Sequence, residues 1–83
     1  MSVIHIDLPE SVLLSTGQSQ EEFVREAKFF LALKMFELGR LSSGRAAELC
    51  EMARVEFLLL AGRFGVPVTD LDAEELDREF RNA

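Results

Sequence analysis

The segment 27–38 constrains the fold more than any other feature of the chain. If it is helical, it is apolar around almost its whole circumference, since only Lys28, Lys34 and Glu37 interrupt it. A helix that is apolar on more than one side is buried on more than one side. A chain of 83 residues forms a single domain with a small core. We therefore expect the second side of this helix to contact another subunit, as in a homodimer or a complex with a partner protein.

Capping residues divide the chain into helical segments. Ser19 and Glu22 have the spacing of a capping box, and Gly39 suits the position that follows a helix. These residues predict a helix from Ser19 to Leu38. A shorter helix of about two turns is predicted over 9–17, which begins with a proline and ends with a glycine.

A second capping box lies near the C-terminus. Asp72 and Glu75 have its spacing and predict an acidic helix over 73–80. Leu76 and Phe80 fall on one stripe of this helix and are candidate contacts to a partner. The chain is therefore predicted to consist of a helical domain, residues 1–69, and an acidic C-terminal helix or tail, residues 70–83.

One or two short strands are predicted beside the helices. Residues 3–8 alternate in polarity, with Ile4, Ile6 and Leu8 on one face. A single strand needs a partner, which could be the β-prone stretch Val66–Val68 or the same strand of a second copy. The predicted fold is mainly α, with one or two minor strands and a dimer contact through residues 3–7 or 27–38.

The segment 41–65 has the pattern of two short helices joined by a tight turn. Ser42 can cap a helix over 43–50, Glu51 and Met52 form the turn, and a second helix covers 53–64. The inward positions are small or apolar, as such a helix pair requires: Ala46, Ala47, Cys50, Met52, Phe57 and Leu60. This arrangement predicts a helix-turn-helix.

The distribution of charge places any contact with nucleic acid in the middle of the chain. The net charge is −6 overall, but residues 40–69 balance at +1, against −3 before them and −4 after them. Arg54 could reach base edges, and the candidate phosphate contacts are Arg40, Ser42, Ser43 and Arg45. Val55, Leu58 and Leu59 are aliphatic where a DNA-reading helix is usually polar, so Leu58 and Leu59 are equally candidates for protein contact.

The residues that support catalysis are scarce. The chain has one histidine, His5, and one cysteine, Cys50, with no tyrosine, tryptophan or glycine-rich phosphate loop. We expect no enzymatic activity, no metal site and no cofactor. No apolar run approaches the roughly 20 residues of a membrane span, and the N-terminus lacks the pattern of a signal peptide. The expected location is the cytoplasm.

Four stretches occur in an order that resembles a known family. They read ALKMFELG at 32–39, GRAAEL at 44–49, RVEFL at 54–58 and FGVPV at 64–68. The chain resembles a family of small, uncharacterised bacterial and archaeal proteins, which are often described as antitoxins encoded beside PIN-domain nuclease toxins. Two positions depart from the family pattern: Glu51 is usually glycine, and Ala53 is usually serine.

The resemblance implies an antitoxin-like protein. Its helix-turn-helix would bind its operator weakly, and its acidic tail would neutralise a PIN-domain-like nuclease. Two alternatives remain at this point. The chain could be a stand-alone helix-turn-helix regulator of transcription, or a homo-oligomeric adaptor that does not bind DNA.

Overall fold

The described part of the chain, residues 2–67 of a computed structural model, is mainly helical. Its elements are α1 (Glu10–Thr16), α2 (Gln20–Glu37), α3 (Ser43–Leu49) and α4 (Arg54–Arg63). The mainly helical fold class is confirmed for these residues. The predicted C-terminal helix over 73–80, with Leu76 and Phe80, lies outside them.

The boundaries of α2 follow from its capping residues. The Ser19 hydroxyl accepts a hydrogen bond from the Glu22 N–H at 3.2 Å, and the Glu22 carboxylate accepts one from the Ser19 N–H at 3.3 Å. Hydrogen bonding of the Glu22 carboxylate by the Ser19 side chain and by the Ser19 N–H lowers its pKa, because both interactions favour the charged form. At the other end Gly39 has φ +74°, and the Arg40 N–H donates to the Met35 carbonyl at 2.8 Å. The predicted capping box and C-terminal glycine are both confirmed.

The predicted strands are not formed within the described residues. Residues 3–8 form neither strand nor helix, and Val66 and Pro67 do not pair with them. The N–H of Val66 already donates to the Ala61 carbonyl at 3.0 Å, where it closes the end of α4. Pro67 has no N–H to offer to a ladder. The predicted pairing between residues 3–8 and Val66–Val68 is therefore wrong for Val66 and Pro67. Val68 lies outside the described residues.

The core lies where α3 packs against both α2 and α4. Ala46 and Ala47 are buried in α3, and their small side chains let the three helices approach closely. Phe57 of α4 is fully buried, and its ring meets the rings of Phe29 and Phe36 edge-on, with centroids 6.2 and 5.5 Å apart. Such aromatic contacts add about 0.5–1.5 kcal/mol each beyond the area they bury. The core therefore holds α3 and α4 in a fixed relation to α2.

Candidate functional site

The turn between α3 and α4 has the geometry of a Schellman motif. The Glu51 N–H donates to the Glu48 carbonyl at 3.2 Å, and the Met52 N–H donates to the Ala47 carbonyl at 2.9 Å. Glu51 occupies the left-handed position of this motif with φ +57°. That conformation is less favourable by roughly 1–2 kcal/mol for a residue that has a Cβ atom. The predicted turn at Glu51–Met52 is confirmed.

The start of α3 is held by two serines with different roles. Ser42 is exposed, and its hydroxyl caps the helix by accepting from the Arg45 N–H at 3.2 Å. Ser43 is buried, and its hydroxyl accepts from Arg54 Nε at 2.7 Å. The second bond joins the first turn of α3 to the first turn of α4. It links the two helices at their N-terminal ends.

The five predicted DNA contacts are distributed unequally over the surface. Arg40, Ser42 and Arg45 are exposed. Arg45 also forms an ion pair with Glu48 at 2.9 Å, which offsets its charge locally. Arg54 is half-buried and donates to the buried Ser43, so part of its hydrogen-bonding capacity is used within the chain. Two exposed arginines, Arg40 and Arg45, therefore lie near the start of α3. Arg54, the predicted base contact, is half-buried and bonded to Ser43.

The outward side of the first two turns of α4 is aliphatic and acidic, and the exposed Arg63 follows on the same side in the last turn. Leu59 is 49% exposed, Glu56 is exposed and Val55 is half-buried. Leu58, predicted together with Leu59 as a partner contact, is only 1% exposed and packs inside the chain. Leu59 is therefore the accessible member of that pair. The three outward residues of the first two turns carry no side-chain donor, whereas the major-groove edge of guanine offers only acceptors.

A cavity of about 380 Å³ lies beside the turn, between it and the first half of α2. Its lining has mixed charge and consists of Gln20, Glu21, Val24, Arg25, Lys28, Cys50 and Glu51. Burial raises the pKa of the Cys50 thiol, which keeps it protonated and a weak nucleophile at neutral pH.

Among the described residues, no three histidine, cysteine or acidic side chains come close enough to hold a metal ion. In the same part of the chain, no helix is long and apolar enough to cross a membrane.

The bond between Ser43 and Arg54 is a feature that sequence reasoning did not find. The two residues are 11 positions apart and lie on different helices. The sequence alone predicts that each of them contacts DNA. No local pattern in the chain pairs them, because their contact depends on how α3 and α4 cross.

Comparison with known proteins identifies the family. The model of the uncharacterised protein family UPF0175 matches residues 1–83. The chain belongs to this family. A UPF0175 protein from Archaeoglobus fulgidus is 30% identical over 77 residues, which cover 93% of this chain and 85% of the relative. No solved structure matches the chain. The resemblance to a family of small uncharacterised prokaryotic proteins is therefore confirmed.

Proposed function

We propose that this UPF0175 protein is an antitoxin-like binding protein that captures and neutralises a nuclease. The observation that carries this proposal is the outward side of the first two turns of α4, where the exposed Leu59 lies beside Val55 and Glu56. An apolar centre with an acidic margin complements a protein surface that has an apolar patch and a basic margin. Nucleases have basic surfaces because they bind a polyanion.

The charge of the chain supports a basic partner. Glu48, Glu51 and Glu56 are exposed on α3, the turn and α4. Residues 70–83 add six acidic and two basic side chains. Carboxylates at this density can occupy the positions at which a nuclease holds phosphate oxygens or a divalent metal. In this proposal Leu76 and Phe80 are the apolar anchors of the acidic segment, and the resemblance to antitoxins of PIN-domain toxins supports the class of partner.

Weak operator binding is the second candidate. It is favoured by the turn between α3 and α4 and by the exposed Arg40 and Arg45 near the start of α3. Such residues contact phosphates and position a helix pair on DNA without reading its sequence. Replacing both arginines by alanine should abolish a shift of the protein's own upstream DNA. An unchanged shift would remove these residues from the proposed DNA contact.

The test of the main proposal is capture of the partner followed by inhibition of its activity. Tagged protein purified from its source cells should retain a nuclease in stoichiometric amount, identified by mass spectrometry, and should suppress RNA cleavage by that nuclease. Leu59→Arg should lose both properties, because it places a positive charge against a basic partner. Leu14→Arg is the matched control, since Leu14 is 72% exposed on α1, away from α4.

Three results would contradict the proposal. Recovery of the protein without a nuclease would favour a homo-oligomeric adaptor. Equal inhibition by the Leu59→Arg variant would show that α4 is not the contact. A specific DNA shift without a bound protein would favour a stand-alone regulator.

A further inference from the structure

The N-terminal segment 3–8 is apolar and has no partner in the described part of the chain. Ile4, Ile6 and Leu8 are 85%, 69% and 55% exposed. Among the described residues, no backbone hydrogen bond joins this segment to another. Three neighbouring aliphatic side chains at this exposure form the kind of surface that soluble proteins normally cover.

The apolar face of this segment lies beside the helices. Ile6, Asp7 and Leu8 line a cavity of about 320 Å³, whose apolar lining includes Leu13 of α1 and Phe23 and Val24 of α2 and whose polar lining includes Glu10 and Gln20. A two-stranded ribbon is marginal by itself in water, but it becomes stable when one of its faces packs against a helix. The groove between the segment and α1–α2 supplies that apolar support.

We propose that residues 4–8 pair with the same residues of a second copy, as an antiparallel ribbon with its two-fold axis at Ile6. Ile6 then lies opposite Ile6, and each Ile4 lies opposite Leu8 of the other copy. On the second face each His5 lies opposite Asp7, so an acceptor carboxylate meets an imidazole that can donate or carry positive charge. The segment is thus complementary to itself on both faces.

Neighbouring registers lose this match. An axis at His5 places the two histidines opposite each other and leaves Leu8 opposite Ser2. An axis at Asp7 brings the two carboxylates together, which is unfavourable for directly opposed residues. An axis between two residues places the apolar face of one strand against the polar face of the other. The Ile6 axis is therefore the register that the segment favours.

Disulfide trapping tests the register directly. Ile6→Cys should form a disulfide between two copies, because opposed Cα atoms in an antiparallel pair lie about 4.5–5.5 Å apart. Ile4→Cys should not cross-link with itself, since the two cysteines would be about 13 Å apart along the ribbon. A mixture of Ile4→Cys and Leu8→Cys proteins should cross-link as a heterodimer. The native protein is the control, because its one cysteine, Cys50, is buried.

Charge exchange tests the polar face without altering the apolar one. Sedimentation equilibrium should show a dimer for the native chain. His5→Asp should raise the dissociation constant about tenfold, because it opposes two pairs of carboxylates. Adding Asp7→Lys to that variant should restore the dimer. Leu59→Arg should leave dimerisation unchanged, so a failure of this proposal is distinguishable from a failure of partner capture.

Several outcomes would overturn the ribbon. A monomer at all concentrations would do so. A dimer that ignores His5→Asp but is disrupted by Leu31→Asp would assign the interface to the outer side of α2, where Leu31 is exposed. Cross-linking of Ile4→Cys with itself in preference to Ile6→Cys would reject the register.

Discussion

Replacing Glu51 by glycine is expected to stabilise the protein. Glu51 adopts φ +57° at the end of α3, a conformation that costs a residue with a side chain roughly 1–2 kcal/mol and costs glycine nothing. Glu51 also follows directly after the C-terminal end of α3, where a negative charge is unfavourable by about 0.3–1 kcal/mol. Part of this gain in stability is lost, because glycine increases the conformational entropy of the unfolded chain.

The net increase in the free energy of unfolding should be about 1 kcal/mol, which raises the Tm of a domain of this size by about 4–8 °C. Thermal unfolding followed by circular dichroism measures both quantities. Glu51→Ala is the control that removes the carboxylate but keeps Cβ in the left-handed conformation. The free energy of unfolding of Glu51→Ala should rise only by the electrostatic contribution of the removed carboxylate. That contribution should diminish with added salt. The difference between the glycine and alanine variants should persist at high salt.

A reverse substitution completes the test. Gly65 has φ +81°, and no atom lies within 4 Å of a Cβ built there, so Gly65→Ala should cost backbone strain without a clash. Its destabilisation should resemble the glycine–alanine difference at Glu51. If Glu51→Ala stabilises as much as Glu51→Gly, the gain is electrostatic and the argument from backbone strain is refuted.

Two further predictions concern the core. Phe57→Ala should lower the free energy of unfolding by about 3–5 kcal/mol, because it removes a fully buried ring that contacts Phe29 and Phe36. Unfolding in urea measures this change. Leu59→Ala, at an exposed position, is the control and should lower the free energy of unfolding by less than about 1 kcal/mol. Burial raises the pKa of Cys50, so the folded state keeps this proton to higher pH than the unfolded state. The free energy of unfolding should therefore fall as the pH rises above about 9, and Cys50→Ala should remove that part of the decline.

The two proposed interactions use separate parts of the molecule. Partner capture depends on Leu59 and the acidic side chains near the turn, whereas the ribbon depends on residues 4–8. A dimer would present two copies of the α4 face. If both copies bind, the second contact becomes intramolecular, and the affinity for a dimeric or bivalent partner rises without any new contact.

Local sequence predicted the helices well because their ends depend on neighbouring residues. The capping box of Ser19 and Glu22 closes over three residues, and Gly39 ends α2 through its own backbone conformation. The turn at Glu51 was predicted from the spacing of small and apolar positions, even though the residue itself is unfavourable there. These interactions reach four residues or fewer along the chain, or five in a Schellman motif, so the sequence contains them directly.

The strands were predicted less well for the opposite reason. Alternation in residues 3–8 shows which side chains could share a face, but a strand also needs a second backbone. Within the described residues that backbone is not supplied, because the N–H of Val66 is used by α4 and Pro67 has none. A strand needs backbone hydrogen bonds to a second segment, whereas a helix forms its backbone hydrogen bonds within one segment.

The sequence determines the family, the positions of α1 to α4 and the turn between α3 and α4, since each depends on residues close together in the chain. The tertiary structure decided which side chains reach the surface. It buried Leu58 and exposed Leu59, and it turned Arg54 partly inward onto Ser43. Both results come from the angle at which α3 and α4 cross, which is set by close packing of many side chains distant in sequence.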